Sequence, residues 1–179
     1  MTIAKSKTRE QFPLSTKKVL KKTTTSTLAY VILLLLIYVS LVLIFFSFAL
    51  PIKNIGLITF GIVGFLSVII LVTYFYQLWY YNVYFYDLTE DYIVIKKGPI
   101  TPHEITVPYE RVQDVYVDQD IFDRIFGLYD VHLSSATAAS GESAHIDGVE
   151  KPAADGLRSL LLQKVSEKIG KNRNASLLS

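Results

Sequence analysis

The sequence predicts a membrane α-helical hairpin followed by a small, mainly-β (α+β) barrel capped by a C-terminal helix. Three observations carry this reading. No charged residue lies between Lys22 and Lys53, and none between Lys53 and Asp87. Beyond Tyr84 the apolar runs give way to short alternating segments punctuated by glycine and proline. The last segment, from Pro152, places leucines three and four residues apart.

The 179-residue chain contains no cysteine, which excludes disulfides, thiol catalysis and thiolate metal sites. Its net charge of +2 hides a split. Residues 1–26 carry Lys5, Lys7, Arg9, Lys17, Lys18, Lys21 and Lys22 against Glu10 alone, whereas the part from residue 83 onward has an acidic excess. That acidic half argues against nucleic acid as a partner, because phosphate backbones require a basic face.

Thr27 to Leu50 forms the first apolar run. At about 1.5 Å per residue it is long enough as a helix to cross a hydrocarbon core of about 30 Å. Inside lipid the backbone must satisfy itself, which selects a helix. Pro51-Ile52-Lys53-Asn54 breaks the run, and a second span extends from Ile55 to about Tyr80. It ends in Tyr74, Phe75, Tyr76, Trp79, Tyr80 and Tyr81, an aromatic belt suited to a membrane interface. The basic flank places the N-terminus in the cytoplasm, and two spans return the C-terminal domain to the same side. A cleaved signal peptide is the rival reading, but the first run exceeds the roughly 7–15 residues of such a segment. Neither span holds an Asp, Glu, Lys, Arg or His, so a transport path is not expected. Gly56, Gly61, Gly64 and Ser67 are read as ordinary hairpin packing. The domain organisation is therefore a basic tail at 1–26, the hairpin at 27–81 with spans at about 27–50 and 55–80, a soluble domain at 84–169 and a frayed end at 170–179. The tail, with Pro13 and few apolar residues, reads as mobile. Its Lys17, Lys18, Lys21 and Lys22 set topology and lie near anionic headgroups. The S-x-x-K spacing of Ser15 and Lys18 reads as chance.

In the soluble part, Tyr84–Leu88 and Tyr92–Lys97 read as strands around a Thr89-Glu90-Asp91 turn. Glu104–Val107 and Arg111–Asp118 follow, the latter with Val112, Val115 and Val117 inward. Ile121–Phe126 is a helical turn capped by Asp118 or Asp120 and stopped by Gly127. Tyr129 to Leu133 alternates strictly, so Asp130 and His132 face away from Tyr129, Val131 and Leu133. Ala136–Gly141 is a loop, Glu142–Ile146 a strand and Asp147-Gly148 a turn. Leu157, Leu160, Leu161, Val165 and Ile169 form an apolar helical stripe that covers the open end of the strands, and Gly170 stops that helix.

These residues carry a resemblance. Tyr86-Asp87-Leu88-Thr89-Glu90-Asp91 with Ile93 and Gly98 looks like the opening of bacterial pleckstrin-homology-like (PH-like) domains. Val107-Pro108-Tyr109-Glu110-Arg111-Val112-Gln113-Asp114-Val115 is similar to their "I-P-x-x-R-I-Q-D-V" segment. Arg124 to Leu128, including Gly127, resembles their "R-x-x-G-L", and Ile146-Asp147-Gly148-Val149 their closing "I-x-G-V". The resemblance covers about Tyr84 to Lys168 and departs from the pattern at Ser134–Glu142. It implies a PH-like barrel, with Arg111, Gln113, Asp114, Arg124, Gly127 and Gly148 as motif residues, and implies little about activity.

No catalytic residue stands out. His132 and His145, with Asp130 or Asp147, raise a metal candidate, but solvated surface imidazoles are the plainer reading and no metal or cofactor is expected. His103 reads as exposed. Asp114, Asp118, Asp120 and Asp123 form an acidic cluster better explained by a strand edge, a turn and a helix cap than by cation binding. Arg111 and Arg124 are expected to form structural ion pairs with these carboxylates. Lys96 and Lys97 form a weak anion or headgroup site, because the Thr89-Glu90-Asp91 loop, where a headgroup would be gripped, is acidic. The expected role is non-catalytic: a scaffold or assembly component at the cytoplasmic membrane face. Its expected partners are the lipid bilayer and a protein, a second copy of the chain or a sister membrane protein. Sensing of lipid or membrane state is the alternative.

Overall fold

The computed structural model describes residues 6–47, 55–135 and 144–177. The expected breaker at 51–54, the loop at 136–141 and the start of the strand expected at Glu142 lie outside them. The chain forms two compact units, one of Val19–Leu78 and one of Met1–Lys18 with Trp79–Ser179.

The apolar unit consists of α2 (Lys17–Ser47) and α3 (Ile55–Val83), whose first and last residues respectively belong to the other unit. Both helices are long and apolar enough to cross a membrane, with mean hydropathies of 3.0 and 2.7 over their most apolar stretches. Large apolar side chains dominate their outward faces, with Phe46, Leu57 and Phe60 at least 79% exposed. Hydroxyls in these helices bond back to the carbonyl one turn earlier: Thr27 to Thr23, Ser47 to Leu43, Thr59 to Ile55 and Ser67 to Val63. Such back-bonding leaves no hydroxyl unsatisfied in an apolar surrounding. With its proton on Ile55, the Thr59 oxygen accepts from the Tyr38 hydroxyl across the two helices at 3.2 Å. A Cβ added at Gly56, Gly61 or Gly64 would meet nothing within 4 Å. Contrary to expectation, these glycines do not mediate packing between α2 and α3.

In the other unit, β1 (Phe85–Leu88), β2 (Tyr92–Lys97) and β3 (His103–Pro108) form one antiparallel sheet. β4 (Val112–Asp118), β5 (Leu128–Ser135) and β6 (Ala144–Glu150) form a second. The two sheets do not close into a barrel, which corrects the sequence expectation. Pro108 lacks an N–H and a 3₁₀ turn at Tyr109–Arg111 follows it, so no ladder continues from β3 into β4. At the other seam, β1 and β6 are each edge strands. The short helix α1 (Lys7–Gln11) and the extended residues 12–16 lie along them, Leu14 being bridged to Val149. The N-terminal tail is thus docked over its described part, not mobile, and the β-rich unit is built from two pieces of chain that flank the apolar helices in sequence.

The core is formed by Tyr86, Ile93, Ile95, Val107, Val131, Leu133, Ile146 and Val149 from the strands, with Tyr84 just before β1 and Tyr109 of the 3₁₀ turn, closed by Ala154, Leu157 and Leu161 of α5 (Lys151–Leu177). A register shift between Val112 and Asp114 explains why Val112 and Val115, an odd number apart, both point inward. α4 (Ile121–Phe126) starts with a capping box. Asp120 accepts from the Asp123 N–H at 2.6 Å, and the Asp123 carboxylate accepts from the Asp120 N–H. Gly127 ends it at φ +68°. Asp147-Gly148 is not a turn. β6 continues through it as a bulge opposite Asp130, with Gly148 at φ +79°. α5 runs through Gly170 instead of stopping there. A glycine terminates a helix when it adopts positive φ, and only Gly98, Gly127 and Gly148 do so among the described residues. Ile169 accordingly lies beyond the core, 46% exposed.

The two glycine settings give opposite expectations. A Cβ on Gly148 would stand 2.7–2.8 Å from three carbons of the Lys18 side chain, on a backbone that disfavours side chains. Gly148→Ala should cost more than about 2 kcal/mol. Gly170→Ala, with open space around it, should gain about 0.5–1 kcal/mol. Thermal melts of the intact chain in detergent, followed by circular dichroism, measure both.

Candidate functional site

The bulge in β6 determines what lies at the seam between the sheets. An extra residue in a strand reverses the facing of its side chains, and here it turns Asp147 inward beside Ile146. There the Lys18 Nζ donates to Asp147 Oδ1 at 2.7 Å, with side-chain exposures of 2% and 7%. The same ammonium lies 3.7 Å from the centre of the Tyr84 ring, a cation–π contact. Tyr84 donates its hydroxyl to the His145 carbonyl at 3.0 Å. Burial, and then the Asp147 charge, push the Tyr84 phenol well above its ordinary pKa. The lysine stem lies over Gly148, which only a residue without a Cβ permits.

Residues 6–17 extend this cluster along the seam. Ser6 Oγ caps α1, accepting from Arg9 N–H, and lies 2.6 Å from the Tyr86 carbonyl and 2.9 Å from Asp87. Thr8 Oγ1 donates to Asp87 at 2.8 Å and accepts from Leu88 N–H at 3.1 Å. Tyr86 and Tyr81 donate their hydroxyls to the carbonyls of Phe12 and Leu14. The Phe12 ring lies where a Cβ on Gly156 would be. Ser15 N–H donates to the Gly148 carbonyl at 2.9 Å, and Lys17 pairs with Glu150 at 3.2 Å. Sequence reading missed this strap. Its signal was faint: Phe12 and Leu14, two residues apart, are the only large apolar side chains between Ser6 and Lys18. Lys17 and Lys18, expected near headgroups, instead pair with carboxylates of the chain.

The residues singled out by sequence fall elsewhere and do not come together. Lys96 is paired with Glu104 at 3.0 Å, and Lys97 stands opposite His103. The Thr89-Glu90-Asp91 turn is held from α5: Lys164 donates to the Thr89 carbonyl at 2.9 Å, and Lys168 pairs with Asp91. The Lys168 hydrogen bond lowers the Asp91 pKa, and the bond to Asp91 raises that of Lys168. Arg111, Gln113 and Asp114 are exposed at the start of β4. The ion pairs expected of Arg111 and Arg124 do not form among the described residues; both side chains point to solvent. The four aspartates do separate work, with Asp114 accepting from Val115 N–H, Asp118 facing His132, and Asp120 and Asp123 closing the capping box.

His132 stacks between Tyr116, at 5.0 Å, and His145, at 5.3 Å, as cross-strand neighbours. Donor atoms of Asp118, Asp130 and His132 lie within 4.8 Å of one another. The surroundings do not suit a metal. Asp130 already accepts from Gly148 N–H at 2.8 Å, and His132 Nε2 faces Asp118 at 3.2 Å. A metal on Nε2 would put the ring proton on Nδ1, which is buried without a hydrogen-bond partner, whereas ligating histidines donate that proton to a second group. Asp147, the other carboxylate expected to join the histidines, is turned inward to Lys18.

Two small antiparallel sheets and a C-terminal helix, on a chain with two helices long and apolar enough to cross a membrane, fit a module of the pleckstrin-like class. Residues 18–165 match the family model described as "Bacterial PH domain", and the chain belongs to that family. Searches of curated proteins and of solved structures each found no match.

Removing one member of the buried pair strands the other. Lys18→Ala or Asp147→Ala should each cost about 3–5 kcal/mol, while the double change Lys18→Met with Asp147→Leu should cost clearly less. Denaturant melts of the intact chain test this. Asp87 gives a pH dependence. Burial alone would raise its pKa, but hydrogen bonds from Thr8 and Ser6 outweigh burial and lower it. Strap docking should therefore be fully supported above the ordinary carboxylate value of about 4 and weaken as pH falls through the lowered one. Hydrogen exchange at the Thr8 and Arg9 amides, corrected for intrinsic rates, should accelerate in that acid window. Asp87→Asn should exchange fast at neutral pH and lose the acid step.

Proposed function

We propose that this protein is a non-catalytic scaffold or assembly component: a two-span anchor that holds a PH-like, protein-binding domain at the cytoplasmic face of the membrane. The observation that carries this reading is the state of the β1–β2 turn. In a headgroup-binding domain that turn must offer free cations to phosphate. Here it is acidic, and Lys164 and Lys168 of α5 are spent holding it. Lys96 is neutralised by Glu104. An acidic domain surface is also repelled by an anionic leaflet at short range. Two helices of suitable length and hydropathy support membrane anchoring, and basic residues at 17–22 support cytoplasmic ends under the positive-inside rule.

The absence of native cysteine permits a direct topology test. Lys7→Cys and Lys171→Cys variants should each react with a membrane-impermeant maleimide only after the cells are opened. Labelling of either in intact cells would sink the proposed topology. For binding, the tagged intact chain, expressed at native level and extracted in mild detergent, should retain a partner protein at near-stoichiometric yield. Recovery of nothing above an untagged control, with the same chain floating on anionic vesicles, would favour the lipid reading instead.

A further inference from the structure

Of the four sheet edges, those of β1 and β6 are covered by residues 6–16, and the covering is chemically incomplete. The strap makes one bridge to β6, Leu14 with Val149, and the Ser15 N–H to Gly148 carbonyl bond belongs to that bridge. Pro13 has no N–H and cannot extend the ladder. The other contacts to the strap backbone are side-chain ones. The hydroxyls of Tyr86 and Tyr81 take the Phe12 and Leu14 carbonyls, and these carbonyls are present in any peptide. Besides Arg9, which donates to the Tyr81 carbonyl, and Ser15, which donates to Glu150 at the exposed end, side-chain selection among the described residues occurs at three places. Hydroxyls meet Asp87, an aromatic ring covers Gly156, and an apolar side chain stands opposite Val149. An open cleft of about 740 Å³, lined by Gln11, Pro13, Thr16, Glu150, Pro152 and Ala153, runs beside the strap. The buried Lys18–Asp147 pair follows the strap in the chain, so the strap can leave while that pair stays closed.

We propose that the seam between β1 and β6 is a docking groove for an extended peptide segment, with residues 6–16 as its resident, displaceable occupant. The fitting segment runs antiparallel to β6. It supplies an N–H where the strap has Pro13, an apolar residue in place of Leu14, an aromatic ring over Gly156 and a hydroxyl donor for Asp87. Strand addition of this kind draws affinity from the main chain and specificity from alternate side chains. The resident strap, lacking one donor, competes poorly against such a segment. The class of partner rests on the protein-binding reading above; the opening of the strap does not.

The test uses the intact chain in detergent and a synthetic peptide of residues 4–18 carrying Pro13→Val. Facing positions in an antiparallel pair suit a disulfide, so Leu14→Cys with Val149→Cys should lock the strap when oxidised. The peptide should bind Phe12→Ala chain at least ten-fold tighter than unmodified chain. It should not bind the oxidised double-cysteine chain, and binding should return on reduction. Hydrogen exchange of the unmodified chain supplies a readout independent of any variant's folding: the Leu14 and Ser15 amides should exchange at least 100-fold faster than those of Val131 and Leu133. Equal peptide binding to the locked chain, no binding to the Phe12→Ala chain, or strap amides as slow as the β5 core would each overturn the proposal. A failure to recover a partner from extracts would leave these results standing.

Discussion

An ammonium and a carboxylate removed from water must each find the other, and Lys18 and Asp147 do so at 2.7 Å in the interior of the β-rich unit. Each ion loses several kcal/mol of hydration on burial, and only close pairing with further polar contacts returns it. The rest of the seam follows from that requirement. β6 must bulge to turn Asp147 inward, and residue 148 must be glycine to admit the lysine stem. Tyr84 must present its ring face to the cation. The residue that supplies the charge lies at the start of an apolar helix, so the N-terminal piece of chain is committed to the β-rich unit before the apolar stretch begins.

That commitment also explains the shape of the β structure. A closed barrel would satisfy the edges of all six strands by ladder pairing. Here Pro108 and the 3₁₀ turn interrupt one seam, and a strap with a proline at its centre fills the other. The strap hides apolar side chains and shields two edges from chance pairing, but it does so mainly through tyrosine and hydroxyl side chains. The open end of the sheets is closed by α5, whose lysines hold the β1–β2 turn.

The polar chemistry is correspondingly structural. Four aspartates close in sequence separate into a strand residue, a histidine partner and the two halves of a capping box. The imidazole stack on the outer face of β4–β6 has carboxylates nearby but no acceptor behind His132, and so lacks the support a metal ligand requires. Among the described residues, Arg111, Gln113 and Arg124 are exposed, as are Ile121 and Ile125, both at least 69%.

Wherever local chemistry decides, the sequence determined this protein by itself. Long uncharged runs can only be helices of membrane-spanning length. The β5 alternation is read from period-two apolar residues, and an aspartate at 118 or 120 with Gly127 punctuates α4. The family was legible in the Val107–Val115 and Ile146–Val149 motifs. The tertiary structure alone decided which strand edges pair, because ladder partners are chosen by distance in space and not by neighbours in sequence. Only the fold shows that Asp147 faces inward, since a bulge of one residue reverses a side chain without changing composition. Only the fold makes Ser6, Thr8 and Lys18 part of a seam: their partners, Asp87 and Asp147, lie 79 to 129 residues away in the chain. A tail rich in lysine and hydroxyls looks solvated until a distant buried carboxylate gives it a reason to fold back.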